Sequence, residues 1–194
     1  MAVPTIVAMG GGTLDQPYDP TREHFIFSLA RRTRPRVAFL GTASGDSEAY
    51  TANFFRSVGG LECDATDLPL FQRREADLRR IVLALDVIYV GATQVLDDGL
   101  GFLSGSACPH YDEDPTRRPA YRTAVARGEV SPGYAADGAA ALIFRGSRLE
   151  EVVSWSENAT GYRVEPGQNG EATEQALPAR RLAPAQVGSP SRVT

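Results

Sequence analysis

The chain has 194 residues, of which 42% are hydrophobic and 23% are charged, as expected for a globular protein with one substantial core. Its formal net charge of -4 excludes the basic field that attracts nucleic acid. Two cysteines are too few for a disulfide framework, and neither a signal peptide nor an apolar run of membrane-spanning length is visible. We therefore expect a cytoplasmic protein without a membrane partner.

Strand-like and helix-like stretches alternate through the first half of the chain. Short apolar or strand-like stretches predict strands at residues 4–9, 36–40, 61–68 and 87–90, of which the last is unbroken in its apolarity. Helical spacing predicts helices after Asp19-Pro20, from a Ser47 or Asp46 cap to residue 58, and over 77–85. This rhythm indicates an α/β fold of three layers, a mostly parallel sheet with helices on both faces, in which the strand at 87–90 is buried.

The alternation stops after Gly91. A helix is predicted over residues 116–127, and three β-type runs at 139–144, 149–155 and 161–164 indicate a C-terminal antiparallel meander. Leu177 is predicted to begin a last short strand. We expect one domain over residues 1–182, followed by a disordered tail over 183–194 that is rich in Pro, Ala, Ser and Gly.

Five segments in chain order carry a resemblance to a known family. They are Met9-Gly-Gly-Gly12, the stretch 34–46, the stretch 86–91, the stretch 99–112 and Gly133-Tyr-Ala-Ala-Asp137. Together they resemble the peptidase E family, the S51 serine peptidases, which are relatives of cyanophycinase with a class I glutamine-amidotransferase-like fold. The resemblance runs from about Thr5 to Arg181, and its most specific piece is Cys108-Pro-His-Tyr-Asp112 with its Gly-Leu-Gly-Phe-Leu lead-in.

The resemblance implies a serine-type exopeptidase that hydrolyses short peptides, including those with an N-terminal aspartate, through an acyl-enzyme and without a cofactor. Such chemistry needs a serine on a strand-to-helix elbow, a histidine base and a carboxylate that holds the histidine. His110 matches the family base. The ends of the first two strands, where ligands of open α/β sheets bind, supply the candidate substrate-binding residues Gly11, Gly12, Thr42, Ser44 and Asp46.

The serine nucleophile has no matching position in this chain. The residues after Gly91 resemble the sequence that normally stands just before Gly-Leu-Gly-Phe-Leu, well past the elbow. We therefore expect that a βα(β) portion of roughly 30 residues is missing, and with it the nucleophile, the oxyanion donor, the orienting acid and part of the central sheet. Little or no peptidase activity is the expected result.

Other nucleophiles near His110 are weaker candidates. Ser104 and Ser106 lack a Gly-x-Ser-x-Gly frame and are better interpreted as ordinary loop serines. Cys108, two residues from the histidine, could form a Cys-His pair, although a small buried hydrophobe is the favoured interpretation. Without the family segment around it, His110 would be interpreted as a buried core histidine with satisfied hydrogen bonds.

The carboxylates of Asp112, Glu113 and Asp114 are close in sequence to His110, and together these side chains could bind a metal ion. The chain has only one other histidine, His24, which lies far away on a predicted helix, so we favour helix capping near Thr116 and predict no metal.

The expected ligand is a short peptide or a related small molecule, and the oligomeric state is left open, with a homodimer as one option. The alternatives to an inactive peptidase are a non-catalytic ligand-binding or regulatory homologue and a poorly folding truncated product.

Overall fold

The computed structural model describes residues 3–11, 19–71, 77–91 and 101–185. Within them the chain is mixed α/β and groups into two compact units: residues 3–11 with 101–182, and residues 19–71 with 77–91 and 183–185. No helix in these ranges combines the length and apolarity needed to cross a membrane. A single domain over 1–182 stays a prediction, and the predicted tail beyond residue 185 lies outside the described residues.

The described ranges contain four α-helices and three small sheets. The strands are β1 (Thr5–Met9), β2 (Arg36–Leu40), β3 (Asp64–Asp67), β4 (Val87–Val90), β5 (Ser106–Cys108), β6 (Gly133–Ala136), β7 (Ala140–Arg145), β8 (Arg148–Ser154), β9 (Gly161–Pro166), β10 (Ala172–Leu177) and β11 (Ala179–Arg181). The helices are α1 (Thr21–Ser28), α2 (Glu48–Val58), α3 (Leu78–Ala84) and α4 (Arg117–Ala126). The sheet orders are β3-β2-β4, β1-β7-β8-β11 and β10-β9-β6-β5.

The sheet β3-β2-β4 is parallel throughout, as the alternating first half of the sequence predicts. The central strand β2 is buried because Phe39 stacks on Phe54 of α2, with ring centroids 5.2 Å apart. Phe54 and Val58 lie four residues apart on one face of α2, and both are buried. The parallel pairing is confirmed for these three strands, whereas helices on both faces of the sheet stay a prediction.

The predicted burial of the strand at 87–90 is wrong. β4 pairs only with β2 among the described residues and lies at the edge of its sheet. Ile88 is 41% exposed and Val90 is 45% exposed, whereas Tyr89 between them is buried. Successive side chains of a strand point to opposite faces, and only the face of Tyr89 meets the core. An unbroken apolar run is therefore not sufficient evidence of burial on both faces.

The predicted place of the first strand is also wrong. β1 does not continue the parallel sheet but pairs antiparallel with β7, with Ile6 opposite Phe144 and Ala8 opposite Leu142. The two apolar strands bury side chains against each other, and β1 lies in the unit of β7 rather than that of β2. The described strands form three small sheets, so one central three-layered sheet with a missing portion remains a prediction.

The predicted C-terminal meander is only partly confirmed. β7 and β8 form the predicted antiparallel hairpin. The next strand, β9, leaves this sheet and pairs with β6 and β10, because β11 already occupies the free edge of β8 in parallel. Leu177 ends β10 instead of beginning a strand.

Candidate active site

Three chain segments of one unit meet around His110: the residues that follow β1, β5 and β6. The His110 backbone N–H donates to the carbonyl of Gly10 after β1. The N–H of Tyr111 donates to the carbonyl of Ala136 at the end of β6, at 3.1 Å. Pro109 has no N–H to continue the β5 ladder, so the chain turns there. The turn that bears the histidine is thereby anchored to two neighbouring strand ends.

His110 lies in a strained turn and contacts a carboxylate. Its φ of +53° is in the left-handed region, which side-chain-bearing residues seldom adopt. Its Nδ1 lies 2.6 Å from Oε2 of Glu113, and the two side chains are 33% and 48% exposed. A carboxylate accepts a proton donated by Nδ1–H, which leaves the lone pair on Nε2 free to act as a base. No described residue makes a hydrogen bond to Nε2.

Glu113 is a contact of His110 that the sequence interpretation does not include. The sequence predicts helix capping for these acids, but of the three only Asp114 bonds the residue at the start of α4, its Oδ1 accepting from the N–H of Thr116 at 2.8 Å. Glu113 instead reaches back three residues to His110, because the intervening turn brings its own N–H to 3.4 Å from the His110 carbonyl. The sequence pattern that indicates this contact is an acid three residues after a histidine that follows a proline. The absence of the family's orienting acid stays a prediction; Glu113 is the carboxylate that contacts the histidine ring here.

Two glycines lie directly against this pair. A Cβ placed on Gly11 would be 2.6 Å from both Nδ1 and Cε1 of the His110 ring. A Cβ placed on Gly138 would overlap Oε1 of Glu113. Gly11, predicted to bind substrate, is thus close to the base, while Gly12 lies outside the described residues.

Asp137 is a buried carboxylate behind the turn. It is 2% exposed, and its Oδ2 accepts from the N–H of Thr160 at 2.9 Å and from the hydroxyl of Tyr162 at 3.2 Å. Its Oδ1 is buried without a hydrogen-bond partner. Burial raises the pKa of Asp137, and the nearby charge of Asp112 adds to the increase.

Tyr111 fixes the turn from its buried side. This side chain is 1% exposed, and its hydroxyl donates to Oε2 of Glu174 at 2.6 Å. The Arg118 guanidinium binds the same carboxylate and lies over the rings of Tyr111 and Tyr162, at 5.2 and 4.7 Å from their centroids. Such a charge-assisted network holds the residue next to the histidine in one position.

The nearby candidate nucleophiles have other partners or an unreactive form. The Ser106 hydroxyl is 2.7 Å from the hydroxyl of Tyr121 and donates to the carbonyl of Ser131 at 2.5 Å. Cys108 is 6% exposed, and burial raises the pKa of its thiol to about 11, so the thiolate is scarce at neutral pH. These contacts favour structural roles for both residues.

The other predicted substrate-binding residues lie together in the second unit, after β2. Ser44 donates to the carbonyl of Gly41 at 2.9 Å, and the hydroxyl of Thr42 is buried without a hydrogen-bond partner. Asp46 has a φ of +56° and does not cap α2: its Oδ2 accepts from the N–H of Phe71 at 2.6 Å, and its Oδ1 is buried and unpaired. Asp46 and Gly41 line a cleft of about 310 Å³ together with Phe39, Glu48, Thr51, Ala52, Phe55, Asp67, Leu68 and Pro69. The substrate-binding role of these residues stays a prediction.

Within the described ranges no group of three or more His, Cys, Asp or Glu side chains is arranged to hold a metal ion. An imidazole with a carboxylate on Nδ1, as at His110, is a group that can transfer protons.

Comparison with known proteins identifies the family. The model of peptidase family S51 matches residues 6–93 and 92–152. A protein of Bacillus subtilis (strain 168) named "Uncharacterized peptidase YgaJ" is 32% identical over 227 residues, an alignment that covers 91% of this chain and 98% of that protein. The family match includes β1, the parallel sheet, the His110 turn and the β7–β8 hairpin. The chain belongs to peptidase family S51.

Proposed function

We propose that this chain is a peptidase S51 homologue that retains the general base and has lost the serine nucleophile, and that it has little or no peptidase activity. The observation that carries the proposal is the set of partners of His110. Its ring is hydrogen-bonded to Glu113, and no hydroxyl or thiol of the described residues is hydrogen-bonded to it. The three internal stretches outside the described residues, 12–18, 72–76 and 92–100, contain neither serine nor cysteine.

The comparisons support an internal gap as the cause. The family model matches in two pieces that meet at residues 92–93, where the sequence predicts the missing portion. The alignment with the Bacillus peptidase extends over 227 residues, more than the 194 residues of this chain, so it includes positions without a counterpart here. Removal of the nucleophile alone leaves some catalysis in a serine hydrolase, but only while the oxyanion hole and the substrate site persist.

The test is an assay of the purified chain with an aspartyl dipeptide, the substrate class that the family resemblance implies. We expect no hydrolysis above that of a His110→Ala variant, and no mass increase after treatment with a serine-reactive phosphonate. A phosphonate adduct on one serine, together with turnover that disappears in His110→Ala, would sink the proposal. His24→Ala is the matched control, because His24 is exposed and is on α1 in the other unit.

A non-catalytic ligand-binding role is the second candidate, and the cleft beside Asp46 favours it. Its volume of about 310 Å³ is at the lower end of the size of small-molecule sites. Its walls are apolar at Phe39 and Phe55 and carry three carboxylates, those of Asp46, Glu48 and Asp67. Under this alternative the aspartyl dipeptide raises the melting temperature without being hydrolysed, and an Asp46→Asn variant loses the shift.

A further inference from the structure

Helix α2 has two faces with different surroundings. One face carries Phe54 and Val58, which are buried in the core. A second face lines the cleft beside Asp46 with four residues at i, i+3, i+4 and i+7 spacing: Glu48, Thr51, Ala52 and Phe55. The aromatic ring on this second face belongs to a residue that is 37% exposed, so core packing accounts for the first face only.

The opposite wall of the cleft is formed where the parallel strands β2 and β3 end. Phe39 of β2 lies opposite Asp67 of β3, and the N–H of Leu68 donates to the Phe39 carbonyl at 2.8 Å. This pairing fixes the Asp67 carboxylate beside the apolar side chains of Leu68 and Pro69, which also line the cleft. The carboxyl ends of parallel strands are the usual place for ligands in open α/β sheets.

The charged groups of the cleft are all negative. Asp46, Glu48 and Asp67 line it, and none of the three forms an ion pair with a described residue. The positive end of the α2 dipole accounts for Glu48 in the first turn of the helix. Asp67 ends a strand, and sheets have only small dipoles, so no comparable feature offsets its charge. A cleft of this charge attracts cations and repels anions.

Asp46 has a fixed carboxylate with one oxygen unused. The N–H of Phe71 donates to its Oδ2 at 2.6 Å, whereas its Oδ1 is buried and has no hydrogen-bond partner. A buried carboxylate oxygen without a donor has lost its hydration, and a charged N–H donor offsets that cost. No described group of three or more such side chains is arranged around a metal-sized point, which favours a larger, organic cation.

We propose that the cleft binds a small organic cation with an apolar body, such as a primary ammonium group on a short aromatic chain. The ammonium group donates to Asp46 and is attracted by Glu48 and Asp67. The apolar body lies against Phe55 and Leu68, which line the same space of about 310 Å³. The inference rests on the second candidate function, ligand binding at this cleft, and names the class of ligand; it does not depend on the state of the His110 turn.

The test compares three probes of one shape and different charge: phenethylamine, 2-phenylethanol and 3-phenylpropionate at pH 7. Each is titrated into the full chain and followed by ¹⁵N–¹H correlation spectra. We expect phenethylamine to give saturable shifts at residues 41–55 and 67–69, the alcohol to bind roughly tenfold more weakly, and the carboxylate not to bind. Added salt should weaken the binding of phenethylamine and leave that of the alcohol unchanged.

Variants identify the site. Asp46→Asn keeps an oxygen for the Phe71 N–H and a side chain that tolerates the positive φ, so we expect a folded protein that binds phenethylamine roughly tenfold more weakly. Glu62→Gln is the matched control, because it removes the same charge from an exposed position just before β3 and should bind normally. Ala52→Leu fills the cleft from an exposed helix position and should bind neither phenethylamine nor the alcohol.

Equal affinity for the three probes, absence of saturable shifts, or equal weakening by Glu62→Gln overturns the inference. If Asp46→Asn does not fold, Asp67→Asn decides by the same comparison with Glu62→Gln. Binding of the aspartyl dipeptide without binding of phenethylamine overturns the inference and leaves the second candidate function standing. Binding of phenethylamine without binding of the dipeptide supports the inference and removes the dipeptide as the ligand.

Discussion

At the scale of single residues, burial decides how Asp137 responds to pH. Because burial raises the pKa of this carboxyl, the native state binds its proton more tightly than the unfolded chain does. The contribution of Asp137 to stability is therefore most favourable at a pH below the ordinary aspartate pKa of about 3.9, and it declines as the pH rises through the higher native pKa. An Asn side chain, which has the same shape but does not ionise, does not show this pH-dependent loss of stability.

We expect Asp137→Asn to gain stability relative to the wild type as the pH rises from 4 to 7, by on the order of 1 kcal/mol, because a buried charge with one unbonded oxygen is removed. Urea unfolding followed by the fluorescence of Trp155, the only tryptophan, measures the difference. Asp114→Asn is the opposite control: hydrogen bonds from Thr116 lower the pKa of Asp114, so this variant should lose relative stability over the same range. A pH-independent difference for Asp137→Asn would contradict the argument.

At the scale of elements, β4 shows how the position of a strand in its sheet determines what its side chains do. An edge strand has one paired side, and alternation sends every second residue to the face away from the core. Val90 on β4 is 45% exposed, whereas Val37 on the central strand β2 is fully buried. Both are valines in parallel strands of the same sheet, which makes them a matched pair.

We expect Val90→Thr to lower the free energy of unfolding by less than about 0.5 kcal/mol, the usual effect of a surface substitution. Val37→Thr should lower the free energy of unfolding by about 1–3 kcal/mol, because the new threonine hydroxyl is buried at a site where the valine needed no hydrogen-bond partner. Circular dichroism at 222 nm during urea unfolding measures both. If the two substitutions destabilise equally, β4 is covered on both faces, as the apolar run first suggested.

At the scale of the whole molecule, the described residues group into two compact units with separate sheets. Three of the four described helices, α1 to α3, lie in the unit of the parallel sheet, and Trp155 lies in the other. Helical dichroism therefore reports mainly on one unit and tryptophan fluorescence on the other. A unit with a three-stranded sheet and an exposed β4 buries less apolar surface than one with two four-stranded sheets.

We expect the dichroism transition to occur at a lower urea concentration than the fluorescence transition, because independently stabilised parts of a chain do not unfold together. Both signals are measured on the same samples, so protein concentration and buffer are matched. Coincident transitions would contradict the separation and would support the single domain over residues 1–182.

The local features of this fold could be predicted from the sequence because they depend on neighbours in the chain. The parallel strands β2, β3 and β4, the helices α2 and α3, the β7–β8 hairpin and the importance of the segment around His110 all follow from periodicity, turn residues and a family motif. The membership of peptidase family S51 is of the same kind, since the residues within each motif segment are contiguous in the chain.

Only the tertiary structure decided which distant segments meet. It assigned β1 to β7, left β4 at an edge, and brought Gly11, Glu113 and Gly138 around His110. Strand pairing depends on which edges are free once all strands compete, and a glycine's role depends on the atoms that fill the space above it. Sequence spacing encodes neither quantity, which is why the acid beside the histidine was mistaken for a helix cap.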